Sequence, residues 1–301
     1  MAQLANQRIA YHNGAYLPED EVRVSFRDRG FKYGDAAFDT TRSFGGRIFK
    51  LPEHVERFYR SLRYLRLDPG LSPAQMIAVS EEVFARNRHL LGPDEDFWLS
   101  QRVSRGLDSG GPPTVIVECT PLPLKARAPL FRQGIEVVVP AVRRVSPSAV
   151  SPRSKMHNYI NLILADFEAK AATPDAWAVL LDENGNLAEG QGSNIFLARE
   201  GRLYTPSGKY VLPGVSRQTV IDLAAAEGIA VVEGDIDLYD AAVADEAFLT
   251  STSLCLCPIR AINGGKLGDG GVPGPLTKRL MAAYAKFVGF DFVGQYLKHL
   301  A

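Results

Sequence analysis

Apolar and polar positions along the chain change their spacing several times, and each change marks an element. In the first third, Tyr11 and Ala15 flank His12-Asn13-Gly14, a turn signal between apolar segments. Gly45-Gly46 separates Thr40–Phe44 from Arg47–Leu51 in the same way, so two hairpins are predicted. Pro52 then opens a helix in which Val55, Phe58, Leu62 and Leu65 recur at helical spacing. A second helix is predicted from Ser72, with Pro73 in its first turn and Gln75 placed to complete a capping box, to about Asn87.

Strand-like runs follow at Phe97–Val103 and Thr114–Cys119. Between Pro121 and Pro129 the prolines forbid regular pairing, and a linker over 123–130 is expected to separate a domain spanning 1–122 from a larger one spanning 131–301. In the second part, strands at Ile135–Val139, Trp177–Leu181, Asn194–Leu197, Ile229–Val232 and Ala247–Thr250 alternate with helices near Asn161–Ala172, Ser216–Glu227 and Pro275–Val288. The fold class read from this alternation is α/β (α+β) in two domains. Gly264–Gly274 reads as a loop, and no internal repeat is present.

Composition narrows the function. A chain of 301 residues can hold two cores, and its 34 basic and 34 acidic side chains cancel, so no global field draws it to nucleic acid or to an anionic membrane. Small-molecule chemistry is the default. Cys119, Cys255 and Cys257 fit neither a disulfide framework nor a zinc site, the five histidines show no ligand spacing, and no metal is expected. Met1 to Arg8 lacks an apolar core of signal-peptide length, and the longest apolar runs fall far below the roughly 20 residues that span a bilayer, so a cytoplasmic enzyme is expected.

Four segments carry candidate chemistry. Leu212-Pro213-Gly214-Val215-Ser216-Arg217 precedes a helix, where unpaired amides and the helix dipole favour an anion; a plain helix cap reads equally from the same residues. Lys155 lies in Ser154-Lys155-Met156-His157-Asn158-Tyr159, as a solvated charge or as an amine able to form a Schiff base with a carbonyl cofactor. Glu189-Gly190-Gln191-Gly192-Ser193-Asn194 reads as a polar turn, or as a carboxylate beside a flat ligand that the glycines let approach. Thr250-Ser251-Thr252-Ser253 places hydroxyls at a strand end. His157 is read as structural, and Cys255 with Cys257 as ordinary packing.

Taken in order, Lys155 with Asn158-Tyr159, Glu189-Gly190 with Asn194, Leu212-Pro213-Gly214 with Ser216-Arg217, and Thr252 resemble the signature of class IV aminotransferases, the fold type IV pyridoxal-phosphate enzymes. Tyr33-Gly34, Phe38, Glu53-His54 and Arg57 are similar to that family's amino-terminal pattern, so the likeness runs from about Tyr11 to Phe287. It implies a smaller N-terminal α/β domain and a larger C-terminal domain with a β-barrel-like sheet core. It implies pyridoxal 5′-phosphate as the cofactor, a site between the domains, and a homodimer.

Carried over residue by residue, the resemblance makes Lys155 the Schiff-base lysine and proton shuttle. Tyr159 would bond the cofactor's phenolic oxygen and Glu189 its pyridine nitrogen. Arg57, Val215, Ser216 and Thr252 would hold the phosphate, and Leu212 the ring face. Tyr33, Phe38, Arg42, Trp98 and Ser253 would stand on the substrate side.

The subfamily signals diverge. Branched-chain transaminases carry Phe-Glu-Gly and an arginine two residues later, where this chain reads Phe38-Asp39-Thr40-Thr41-Arg42; their Tyr-x-Arg aligns with Trp98-Leu99-Ser100. Gln101-Arg102-Val103-Ser104-Arg105-Gly106 is more like the strand end of D-amino acid and (R)-amine transaminases, but the Arg-x-His that D-amino acid enzymes carry is absent from Leu107–Gly111. The expected reaction is ping-pong transamination of a branched-chain L-amino acid with 2-oxoglutarate. The alternatives are an (R)-amine or D-amino acid:pyruvate transaminase, an aminodeoxychorismate-lyase-like enzyme, and a non-catalytic phosphate- or vitamin-binding module.

Overall fold

The computed structural model describes residues 8–300, which divide into two compact units. Among the described residues, the first comprises 8–122 together with Ser154–Asn158, and the second 123–153 together with 159–300.

In the first unit the strands are β1 (Ile9–His12), β2 (Ala15–Pro18), β3 (Ala36–Phe44), β4 (Arg47–Ile48), β5 (Phe97–Ser104) and β6 (Thr114–Pro121). They form an antiparallel sheet in the order β2-β1-β6-β5-β3-β4. Helices α1 (Arg29–Tyr33), α2 (Leu51–Tyr64) and α3 (Pro73–Asn87) complete the unit. Both longer helices start where the sequence places them. Pro52 stands in the first turn of α2, and both halves of the Ser72–Gln75 capping box form at α3. Leu51, Val55, Phe58 and Leu62 of α2 are buried with Val83 and Phe84 of α3 against Leu99, Val103, Val115 and Val117 of the sheet. Each such side chain contributes about 1.5–3 kcal/mol on burial, so this layer dominates the unit's stability.

In the second unit the strands are β7 (Ile135–Val138), β8 (Trp177–Leu181), β9 (Leu187–Gly190), β10 (Ser193–Arg199), β11 (Arg202–Pro206), β12 (Val231–Gly234), β13 (Glu246–Ser251), β14 (Cys255–Ile262) and β15 (Gly265–Lys266). The path β10-β13-β14-β7-β8-β9 returns to β10, which closes the sheet into a six-stranded barrel. Strands β11 and β12 extend from β10, and β15 pairs with β14. Closure leaves those six strands no open edge and delivers Glu189 of β9 beside Asn194 of β10. Around the barrel lie α4 (Leu124–Gln133), α5 (Ile160–Ala172), α6 (Val215–Ala226), α7 (Leu238–Ala242), α8 (Pro275–Val288) and α9 (Phe292–Leu297).

Most of the stretch 123–130, expected as a linker, is helical, because Leu124–Gln133 is a helix with Pro129 inside it. Tertiary packing overrides the proline: Phe131 stacks on Tyr296 of α9 at 4.3 Å and meets Phe292 edge-on. The strand start read at Ile229 moves to Val231, because Ile229 N still donates to Ala224 O at the end of α6, at 2.8 Å. The three cysteines are buried and form no disulfide among the described residues. Among the described residues, no helix is long and apolar enough to cross a membrane, and no cluster of His, Cys, Asp or Glu could hold a metal ion.

Candidate active site

The register of β3 and β5 sorts the first unit's polar residues. Phe38 pairs with Arg102, Thr40 with Ser100 and Arg42 with Trp98, so these six leave one face of the sheet, while Ala37, Asp39 and Thr41 leave the other. The Thr40 and Ser100 hydroxyls are 2.9 Å apart.

On the α2 side, Asp39 is fully buried. It accepts hydrogen bonds from Arg57 Nε and Nη2 at 2.8 and 2.7 Å, and from His54 Nδ1 at 2.8 Å. A carboxylate can only accept, so Nδ1 carries the hydrogen. Burial alone would raise the Asp39 pKa; the Arg57 charge and the His54 hydrogen bond more than offset this and hold the carboxyl well below the usual range. His54 is pushed down, first by burial and then by the charges of Arg57 and Lys155, against the opposing pull of Asp39. The imidazole is therefore neutral, and Asp39 is the anion that balances Arg57.

Lys155 belongs to this unit, because Ser154–Asn158 runs alongside β3. Phe38 donates its amide to Lys155 O at 3.1 Å, His157 donates to Ala36 O at 2.9 Å, and Lys155 N donates to Ser61 Oγ at 3.0 Å. These bonds on both sides of Lys155 fix its backbone, and its Nζ lies 4.4 Å from the Phe38 ring centroid. His157 meets the same ring edge-on at 5.5 Å, and its pKa is pushed down to about 4 by burial first and by the Arg102 charge second. Asn158 donates to Tyr33 O at 3.2 Å. Tyr33 itself is exposed, with Arg29 and Lys32 over its ring.

Arg42, which the resemblance sets on the substrate side, is fully buried: Nη2 faces Asp96 at 3.6 Å, Nε donates to Ser43 O at 2.8 Å, and the guanidinium lies 4.1 Å from the Phe44 ring centroid. Asp96 also accepts from the amides of Gly45 and Gly46, so Arg42 supports the β3–β4 turn. Trp98, its cross-strand neighbour, is half-buried.

In the second unit, Glu189 is buried and its carboxylate is held on both oxygens. Arg144 Nε donates to Oε1 at 2.9 Å and Leu212 N donates to Oε2 at 2.9 Å. Asn194 Nδ2 reaches Oε2 at 3.5 Å and Leu212 O at 3.2 Å, so one side chain ties the Leu212 loop to the strand pair. A Cβ on Gly214 would lie 2.2 Å from Asn194 Oδ1, which is why glycine stands there. Gly214 caps α6 with no side-chain hydrogen bond, and the helix opens with Val215 and the buried Ser216. Tyr159, at the N-cap of α5, packs against the Leu162, Ala165 and Ala178 cluster.

Thr252 and Ser253 sit in the turn between β13 and β14. Cys255 closes this turn at φ +58, Leu254 N donates to Ser251 Oγ, and Tyr296 Oη donates to Ser253 O at 2.7 Å. The Ser253 hydroxyl accepts from Arg127.

In the first unit Lys155 lies at Phe38, while Arg57 is held by Asp39 on the α2 side; in the second, Glu189 holds the Leu212 loop that leads into Val215 and Ser216. Sequence reasoning missed the charged groups that hold them. Asp39 and His54 were visible only as motif departures or neighbours, and Arg144 carries no local signal at all because its partner lies 45 residues away.

The chain belongs to the class IV aminotransferases: the family model described as Amino-transferase class IV matches residues 36–262. It is 36% identical over 279 residues to a putative branched-chain-amino-acid aminotransferase of Methanocaldococcus jannaschii, covering 90% of this chain and 93% of that one. It is 27% identical to a D-alanine aminotransferase of Bacillus licheniformis, over 90% and 94% of the two chains. The solved branched-chain amino acid aminotransferase of T.th., crystallised with pyridoxamine 5′-phosphate, is similar at 28% identity and a TM-score of 0.84, over 94% of each chain. The fold is therefore type IV, as its motifs imply.

Proposed function

We propose that this aminotransferase uses pyridoxal 5′-phosphate to move the amino group of a branched-chain L-amino acid to 2-oxoglutarate. The observation that carries the reading is Lys155, an amine fixed by its backbone to β3 and α2 with Nζ on the Phe38 ring. The names of the relatives support the donor class. Further solved complexes of the branched-chain enzyme crystallised with pyridoxamine 5′-phosphate hold N-(5′-phosphopyridoxyl)-L-glutamate and 4-methylvaleric acid, which match a glutamate-linked acceptor and a leucine-shaped side chain.

The donor set fits the cofactor. An amine for the aldehyde, a buried carboxylate for the ring nitrogen and an uncapped helix start for the phosphate are all present. When bound, pyridoxal phosphate supplies a conjugated ring that takes up the electron pair left as the substrate Cα loses its proton. Lys155 Nζ would hold the cofactor's aldehyde carbon and would take the proton from the substrate Cα. Glu189, kept in place by Arg144 and Leu212 N, holds the proton on the ring nitrogen. Tyr159 bonds the phenolic oxygen, and Leu212 covers a ring face. Arg57, oriented by Asp39, binds the phosphate with Val215, Ser216 and Thr252. Tyr33, Phe38, Arg42, Trp98 and Ser253 shape the substrate side.

A homodimer in the cytoplasm completes the reading. It is supported by Ile160, Leu164 and Phe167, which leave one face of α5 and are 64%, 48% and 64% exposed, an apolar stripe suited to a second copy.

The test is a single-turnover screen of both enantiomers of leucine, of D-alanine and of (R)-1-phenylethylamine, followed by absorbance. L-Leucine should convert the holoenzyme spectrum fastest and 2-oxoglutarate should restore it. Preference for D-alanine, the substrate named for one relative, would instead favour a D-amino acid enzyme. Return to the starting spectrum without an oxo acid would indicate a lyase, and a colourless protein would indicate a binding module.

A further inference from the structure

On the sheet face that carries Phe38, the two arginines differ in how they are held. Arg42 is enclosed by Asp96 and Phe44. Arg102 remains 40% exposed along its side chain and meets one carboxylate, Glu118, at 3.5 Å, where a hydrogen bond is weak. Its guanidinium carbon lies 5.3 Å from the centroid of Phe38, its cross-strand partner. Lys155 Nζ is 4.4 Å from that same centroid.

We propose that Arg102 binds a carboxylate of the amino or oxo acid whose nitrogen Lys155 handles, and so makes the enzyme prefer acids to simple amines. The proposal rests on the aminotransferase reading with Lys155 as the reacting amine.

The distances permit this. Two groups 4.4 and 5.3 Å from one point are less than about 10 Å apart. A substrate's α-carboxylate carbon lies about 2.5 Å from its nitrogen, and the distal carboxylate of a five-carbon dicarboxylate roughly 5–6 Å. A forked guanidinium–carboxylate pair adds about 4 Å, so the distal carboxylate spans nearly the whole of that range and the α-carboxylate spans separations up to about 6.5 Å. The chemistry also fits. The planar fork of Arg102 matches a carboxylate on two donors, and the Phe38 ring beneath it removes water from one side. His157, edge-on to the same ring and neutral, adds no competing charge, and its Nε2 has no hydrogen-bond partner.

The test compares wild-type holoenzyme with Arg102→Gln, Arg102→Lys and Glu118→Gln. The half-reaction is measured with L-leucine, L-glutamate and 3-methylbutylamine, which is leucine without its carboxylate, and 4-methylvalerate binding is measured by calorimetry. Arg102→Gln should raise the concentration of acid needed for half-maximal rate by roughly 10- to 100-fold, weaken 4-methylvalerate binding in step if the α-carboxylate is the one bound, and leave the rate with 3-methylbutylamine unchanged. Arg102→Lys should recover part of the loss. Loss with both acids identifies the α-carboxylate, and loss with glutamate alone the distal one. Glu118→Gln removes the cross-strand pair but keeps the guanidinium, so acid binding should hold.

Unchanged acid kinetics in Arg102→Gln, an equal fall with the amine, or the same loss in Glu118→Gln would each overturn the proposal. A wild-type protein inert to every donor would remove the functional reading and this inference with it; an active wild type with an indifferent Arg102→Gln would remove the inference alone.

Discussion

Replacing Asp39 by asparagine keeps the shape of the side chain and removes one charge from a fully buried site. Arg57, itself buried, would lose the anion that its Nε and Nη2 both address. Breaking a buried pair from one side costs about 3–5 kcal/mol, because the remaining charge is left without compensation. Against a typical stability of about 5–15 kcal/mol, that is a large fraction, and it corresponds to a fall of roughly 6–20 °C in Tm. Adding Arg57→Leu to Asp39→Asn removes the stranded charge, so the double variant should be more stable than Asp39→Asn alone. The pH dependence carries the same signature. The folded Asp39 pKa lies below its unfolded value of about 3.9, so its stabilisation is complete above that value and is lost as pH falls through the folded one. Urea unfolding of the three proteins from pH 7 to pH 3 provides the assay. A loss under about 1 kcal/mol in Asp39→Asn at pH 7, or a double variant less stable than the single one, would refute the idea that Asp39 is the counter-ion that keeps Arg57 in place.

Two further outcomes follow from the geometry. The folded His157 pKa of about 4 lies below the unfolded value near 6.5, so folding loses stability as pH falls from about 6.5 toward 4, on the order of 2 kcal/mol; thermal unfolding of His157→Gln across that window should be flatter than wild type, and an identical slope would contradict the burial argument. A Cβ at Gly190 would meet Ala178 O at 2.8 Å and Ser193 Oγ at 2.6 Å. Gly190→Ala should therefore shift β9 and weaken cofactor affinity by at least tenfold in a fluorescence titration of apoprotein, whereas unchanged affinity would mean that the barrel seam yields at no cost to Glu189.

Local signals are readable where the cause is local. Pro52, Ser72 with Gln75, and the spacing of Val55, Phe58 and Leu62 announce α2 and α3, because caps and helical periodicity act within a few residues. The motif residues Lys155, Glu189 and Leu212 to Ser216 are readable for a related reason, since a chemistry that needs particular side chains leaves them at recognisable intervals. Other features depend on contacts distant in sequence. The barrel closes only because β9 pairs with both β8 and β10, yet Glu189-Gly190 read alone looks like a turn. Helix α4 contains a proline and exists because Phe131 packs on α9. Arg42 is singled out by its place in a motif, but its ion pair with Asp96, 54 positions further on, is visible only in the structure. Arg102 faces Phe38 through a strand register that no local pattern reveals.

Whether Lys155 is the reacting amine can be measured without knowing the substrate. The holoenzyme is treated with borohydride, digested, and its peptides are weighed. A phosphopyridoxyl mass on the peptide containing Lys155, with loss of the visible absorption band and no such mass in Lys155→Ala, is the predicted result. The modification on another lysine, or turnover that persists in Lys155→Ala, would contradict it.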